Sequence, residues 1–450
     1  MIKKFLILGS LCLLLLNCAG NPEFLKEIDR AVHRDEFETG IAAIKKGQAG
    51  RKSLYPENNA ISMRLDLGLL EHYAGKYSDS SGNLQEAERL IEEAFTKSVS
   101  AGVASYIIND NTKAYPGEDY EDIYLNVFNA LNYYNRGNLE GAMVEVRKIT
   151  MSSGKLDMLS RKYENARSTA ADWVASQFKI IGHSASPVFP QSKAVNFSDS
   201  ALARYLSALF YQGKGQLDDA RIEFERLHAA FASNKNIYKN PVPSSVNAAR
   251  NVPSGKARLN IISFTGLSPI KKEAIFPYLF PFFQTPFLKT PVFKLPVLEK
   301  RPSAINRIEI IVDEKETFHL ELLEDMGAVT EETFNARFSS LFLKTYIRTL
   351  LKYAAADVAA IKASEKGASS MALTYIRIAR TLIDVSEKAD VRMSRYLPEK
   401  AYIGGVNLEP GAYTVTVNYY SGGKIIATDV RREIIVKTGT LNLLESISLQ

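Results

Sequence analysis

Gly137-Asn138-Leu139-Glu140-Gly141-Ala142 and Gly215-Gln216-Leu217-Asp218-Asp219-Ala220 decide the reading of the first half of the chain. Each hexad opens on Gly, carries Leu third and closes on Ala. A Gly that accepts a left-handed backbone ends one helix. The Leu packs in the angle between helices, and the small Ala lets the next helix come close. Upstream, Ala130 and Tyr133 precede Gly137 by seven and four, as Ala208 and Tyr211 precede Gly215. Phe224 stands one turn beyond Ala220. A third hexad reads Gly82-Asn83-Leu84-Gln85-Glu86-Ala87, and a fainter fourth Asp35-Glu36-Phe37-Glu38-Thr39-Gly40. Residues 22–235 are helix-patterned throughout, so these stretches predict helix–turn–helix junctions.

The offsets of small residue, Tyr, Gly and Ala resemble those of the tetratricopeptide repeat (TPR). The resemblance implies stacked helical hairpins with a concave groove. A generic helical bundle with shared Gly and Leu turns is the plainer alternative. The three hexads stand 55 and 78 residues apart, so extra helices are expected between them, such as 155–181 around Trp173. On this scheme Tyr124, Tyr134 and Tyr205 lie at groove positions. They either anchor a peptide or helix of a partner or pack against the inserted helices.

The N-terminus carries an address. Lys3 and Lys4 precede an apolar run from Phe5 to Leu16, which ends at Asn17-Cys18. That run is too short to span a bilayer and suits a secretory signal. Leu15-Leu16-Asn17-Cys18 resembles a bacterial lipobox, with Asn17 where the pattern prefers Gly or Ala. The resemblance implies removal of residues 1–17 and lipidation of Cys18 with acyl chains such as palmitate. Ala19, in place of an inner-membrane retention Asp, points to the outer membrane, where the periplasmic face is the expected one. An ordinary signal peptide with an incidental Cys is the competing reading.

Composition sets the outer bounds. The chain has 450 residues, 46% hydrophobic and 24% charged, enough for two or three folded domains. Cys12 and Cys18 are its only cysteines, which excludes a disulfide or Cys-based zinc site in the body. A net charge of +6 over this length argues against dedicated nucleic-acid binding.

Residues 236–256, rich in Asn, Pro and Ser, read as a linker. Beyond it the pattern turns to strands: Ala257–Phe264, Ile305–Val312 and Phe318–Leu323, then Tyr413–Tyr420, Ile425–Thr428, Glu433–Val436 and Leu441–Ser448. Helices are expected over 331–361 and 369–388, the first with a basic stripe at Arg337, Lys344, Arg348 and Lys352 that faces solvent or anionic lipid. From Ile275 to Pro302, six prolines interleave with aromatics, which forbids a helix and a central strand. This stretch is either an arm packed on its own domain or a loop at a membrane or partner. The expected fold is therefore α+β. Residues 18–235 form a TPR-like helical domain, and 257–450 a β-sandwich-like domain whose strands (257–323 and 401–448) surround an inserted helical pair (331–388).

Ala114-Tyr115-Pro116-Gly117-Glu118-Asp119-Tyr120-Glu121-Asp122, the run Ala142–Lys148, Ala389-Asp390-Val391-Arg392 with Leu397-Pro398, and Pro410-Gly411-Ala412-Tyr413 together resemble a family of bacterial TPR-like envelope lipoproteins. That resemblance implies no established enzyme activity and hints at envelope biogenesis. The acidic residues at 118–122 suit the dipole of a helix start; they lack the spacing of a calcium loop. Asp390 and Arg392 are expected to fix the chain's exit from the helical insertion.

His33, His72, His183, His228 and His319 are scattered, and no nucleophile elbow or phosphate loop appears. The expectation is thus a non-enzymatic scaffold without metal or cofactor. It would be anchored to the membrane through its N-terminal lipid and bind an envelope protein partner, not nucleic acid. A glycan- or solute-capturing surface lipoprotein is the alternative, and an envelope hydrolase the second.

Overall fold

The computed structural model describes residues 22–49, 54–100, 111, 113–150, 197, 199–276, 293–338, 341, 342, 344, 345, 348, 349 and 388–450. Cys18, the 155–181 segment with Trp173, the 277–292 part of the Pro-rich stretch and residues 351–387 of the helical insertion lie outside them. Helices fill the first half and strands the second, an α+β arrangement.

The helices are α1 (Pro22–Val32), α2 (Phe37–Ala49), α3 (Ala60–Tyr73), α4 (Tyr77–Ser100), α5 (Glu121–Asn135), α6 (139–150), α7 (Ala201–Gly213), α8 (Leu217–Ser233) and α9 (Ser244–Arg250). Four hairpins, α1–α2, α3–α4, α5–α6 and α7–α8, share one turn. Its pivot is left-handed: Asp35 (φ 56°), Gly75 (φ 74°), Gly137 (φ 72°) and Gly215 (φ 73°). In each turn the pivot N–H donates to the carbonyl three residues back, and the next N–H to the carbonyl five back. This double bond pattern satisfies the last carbonyls of the first helix. The second helix then opens with an N–H from a small residue five beyond the pivot: Gly40, Ser80, Ala142 or Ala220.

Three of the four expected junctions therefore lie at their hexads, and one does not. Gly82 sits inside α4, and the real turn is at Gly75, seven residues earlier. Leu84 of that stretch instead packs on Gly68, where an added Cβ would meet its Cδ2 at 2.6 Å.

Among the described residues ten strands follow: β1 (Ala257–Leu267), β2 (Ile270–Phe276), β3 (Phe293–Glu299), β4 (Arg307–Val312), β5 (Glu316–His319), β6 (Glu321–Asp325), β7 (Pro398–Leu408), β8 (Gly411–Ser421), β9 (Lys424–Val436) and β10 (Asn442–Ser448). They make an inner sheet β10-β1-β7-β6, an outer sheet β5-β4-β8-β9 and a separate ribbon β2-β3. Among the described strands only β1 and β10 run parallel; the other pairs are antiparallel.

Every residue of β1 is buried. Ile262, Phe264 and Leu267 face the helices, in one cluster with Phe128, Tyr124 and Phe210. Leu259 and Ile261 face the outer sheet, in a second cluster with Ile308, Ile310, Val415 and Val417. The inner sheet is thus a middle layer covered on both sides, which buries even the polar Asn260, Ser263 and Thr265 of its central strand.

Several expectations are corrected. Residues 236–256 are no free spacer. Ile237, Tyr238, Val246 and Ala249 are buried, and α9 folds within the stretch because its apolar side chains have the helical core to join. The two halves therefore share a core rather than forming independent domains. Phe318–Leu323 is not one strand: the chain crosses from outer to inner sheet at the buried Leu320, whose N–H bonds Ile308. Ile425–Thr428 and Glu433–Val436 are one strand, β9, which absorbs an irregularity at each end. The insertion's first helix starts at residue 326, where Asp325 Oδ1 accepts the Ala328 N–H. Its Arg337 does not lie on a solvated stripe; it turns inward to Glu118 and Asp119. The Pro-rich stretch begins and ends as the β2–β3 ribbon, with Pro296 opposite Glu273 on a strand that has no second neighbour among the described residues.

The relocated junction makes opposite predictions for two glycines. Gly75→Ala, at positive φ, is expected to destabilise by about 1–2 kcal/mol. Gly82→Ala, inside a helix with nothing within 4 Å of the new Cβ, should stabilise by roughly 1 kcal/mol. Urea unfolding of both variants checks the sign of each.

Candidate functional site

Two segments distant in sequence, 113–122 and 388–398, meet where the helical layer joins the sheets. Gly117 (φ 85°) turns the first segment into the start of α5. Glu121 then reaches back: its Oε2 accepts the Glu118 N–H (2.7 Å) and the Tyr115 hydroxyl (2.9 Å). Its Oε1 accepts the Ser394 N–H at 2.6 Å. Asp66, from α3, grips the neighbouring residues. Its Oδ1 accepts the Arg395 N–H (2.7 Å) and the Ser394 hydroxyl (3.0 Å), and its Oδ2 the Tyr55 hydroxyl (2.6 Å). Two buried carboxylates thus clasp one dipeptide through its main chain.

Charged pairs flank the clasp. Glu118 receives Lys271 and, at 2.7 Å, Arg337. Arg392 holds Asp390 through Nε and Nη2, both at 2.8 Å. Its Nη1 donates to the carbonyls of Asn58 and Lys113, and its guanidinium lies 5.4 Å from the Tyr115 ring centre. The pair thus ties residue 392 to the loop before α5. Arg395 pairs with Asp29 of α1 at 2.6 Å.

Burial sets the protonation of these groups. It pushes Asp66 up to about 6 despite its three donors. It pushes Glu121 up to about 7, with the Glu118 charge adding to the rise. Glu118 itself is raised by burial, but Lys271 and Arg337 more than offset this and hold it below the usual range. The Arg392 contact does the same for Asp390. Burial, then the nearby Arg395 charge, lower Arg301 to about 10.

The tyrosines expected to line an open groove are turned into the molecule. Tyr124 is fully buried and donates at 2.6 Å to Glu324 of β6. The same carboxylate accepts the Tyr238 and Ser200 hydroxyls (2.6 and 2.7 Å) and the Leu202 N–H (3.2 Å). Tyr134 donates to the Leu441 carbonyl and accepts the Leu443 N–H. Tyr205 is fully buried, 3.5 Å from Asn260 of β1. All three are excluded as an open partner site, because the chain's own inner sheet covers the surface that they line. Sequence reasoning found the aromatics but missed Glu324, whose four donors come from distant segments.

The arrangement is built to hold main chain in place. Among the described residues, no group of three His, Cys, Asp or Glu side chains is placed to hold a metal ion. His72 lies buried between Asn132 and Glu445, 2.7 Å from each, and joins α3, α5 and β10. No helix among the described residues is long and apolar enough to cross a membrane. Comparison with models of protein families, with curated proteins and with solved structures found no match.

The raised carboxyls carry a pH dependence whose sign is fixed. Asp66 and Glu121 bind protons more tightly folded than unfolded. Their contribution is full below the unfolded range near 4 and is lost as pH rises through about 6 and about 7. The urea midpoint should therefore fall between pH 5 and pH 8, corresponding to ~1–3 kcal/mol, and Glu121→Gln should flatten that slope. Tyr124→Phe, which removes one donor from the buried Glu324, should cost ~1.5–3 kcal/mol in the same assay.

Proposed function

We propose that the protein is a membrane-anchored envelope lipoprotein that serves as a TPR-type interaction scaffold in bacterial envelope biogenesis, held at the periplasmic face of the outer membrane. The observation that carries this reading is Leu15-Leu16-Asn17-Cys18, at the end of a short apolar run and four residues ahead of the first described helix. Lipid at Cys18 would supply enough buried CH₂ groups for stable anchoring when two or more chains are attached.

Four helical hairpins with one turn geometry support the TPR-like part of the reading. Two four-stranded sheets with an apolar layer between them support a sandwich-like second part. The surface offered to an envelope partner is the outer one, since the inner tyrosines are taken by the chain's own strands. The clasp at Asp66 and Glu121 serves this role by keeping the helical and β parts in one fixed relation.

Metabolic labelling with radioactive palmitate tests the anchor. Label and sedimentation with outer-membrane vesicles are expected for the unaltered chain, and loss of both for Cys18→Ser. An unlabelled chain, or one recovered from the cytosol, overturns the proposal. In-cell cross-linking to an envelope protein tests the scaffold role.

A further inference from the structure

The outer sheet ends in β9, whose far edge pairs with no other strand among the described residues. This strand exposes four large apolar side chains between charged ones. Ile425 (52% exposed), Ile426 (37%), Val430 (43%) and Ile435 (55%) all lie on it. Exposed apolar edges are where chains add strands, and proteins normally blunt them.

The sequence of β9, Lys-Ile-Ile-Ala-Thr-Asp-Val-Arg-Arg-Glu-Ile-Ile-Val, is nearly symmetric in chemistry about Val430. Set antiparallel to itself on a two-fold axis through Val430, and with the one extra residue of each half left out of the ladder, it places Ile425 opposite Ile435 and Ala427 opposite Ile434. Asp429 then falls opposite Arg431. Within one copy Arg431 Nε already bonds Asp429, at 2.9 Å to Oδ1 and 3.0 Å to Oδ2. The two-fold would close these pairs into a square of alternating charge. Facing apolar residues and opposite charges both favour a strand pair, and a two-fold contact repeats each of them.

β9 carries an irregularity against β8 near Ile425–Ala427 and another between Arg431 and Ile434, where Glu433 takes φ 59°. Such bulges usually discourage edge pairing. Two copies of one strand carry the same extra residues, so the excess cancels and the register between copies can hold.

We infer that β9 is a homotypic interface: a second copy of this chain pairs with it antiparallel about Val430, joining the two four-stranded outer sheets into one of eight strands. The inference does not depend on the scaffold reading or on the lipid.

Cysteine cross-linking and sedimentation of the full chain in mild detergent test it. Val430→Cys should give a disulfide-linked dimer under oxidation, while Thr438→Cys, exposed just beyond the strand, and the unaltered chain should not. Asp429→Arg sets Arg against Arg and should weaken association about tenfold. The double swap Asp429→Arg with Arg431→Asp should restore it. A chain that stays monomeric without a Val430→Cys cross-link overturns the inference. So does a dimer indifferent to the charge reversal, or a Val430→Cys cross-link to a different protein.

Discussion

No layer of this protein can hide its apolar face alone. The helical hairpins present Tyr124, Phe128 and Phe210, and the outer sheet presents Ile310, Val415 and Val417. β1 stands between them and answers both, with alternate side chains directed to opposite clusters. That shared strand makes one body of what composition and patterning divide in two. It also drags polar groups into the interior, where each needs a partner or costs stability. Glu324, Asp66 and Glu121 answer with donors drawn from several segments apiece.

Local geometry was the legible part. Asp35, Gly137 and Gly215 mark their turns because a left-handed residue followed at fixed distance by a small one has a short-range signature. The same signature exists at Gly75 and Ser80, with Gly68 seven residues upstream, but Tyr77 stands where the other turns have Phe or Leu. Leu84, which with Gly82 looks more like the motif, serves a close crossing of α3 and α4 at Gly68 instead. Most strands were also legible from alternation. The break at Leu320 was not, because both sheets want apolar residues from that stretch and only the three-dimensional path shows where it changes sheets.

The candidate site was legible as two segments and not as one place. Residues 114–122 and 389–398 stood out, yet nothing in either stretch announces that Glu121 would hold the Ser394 amide. A carboxylate that binds main-chain N–H groups asks for no particular residue type in its partner, so its mate leaves no mark in the sequence. The tyrosines failed for a related reason. A helical face rich in Tyr reads alike whether its occupant is another molecule or the same chain, and here Leu441, Leu443 and Asn260 supply the occupant.

Asp35 is the pivot of the first hairpin, and its carboxylate also accepts the Leu449 N–H (2.7 Å), the Ser448 hydroxyl (2.9 Å) and the Gln450 amide (3.2 Å). With β10 laid parallel to β1, the two extremes of the described chain are fastened to each other. A ribosome or translocon delivers a polypeptide from its amino end. The hairpin of α1 and α2 is therefore incompletely seated until residues 448–450 emerge. Until then Asp35 lacks three of its donors, so removal of residues 448–450 would be felt more than four hundred residues upstream.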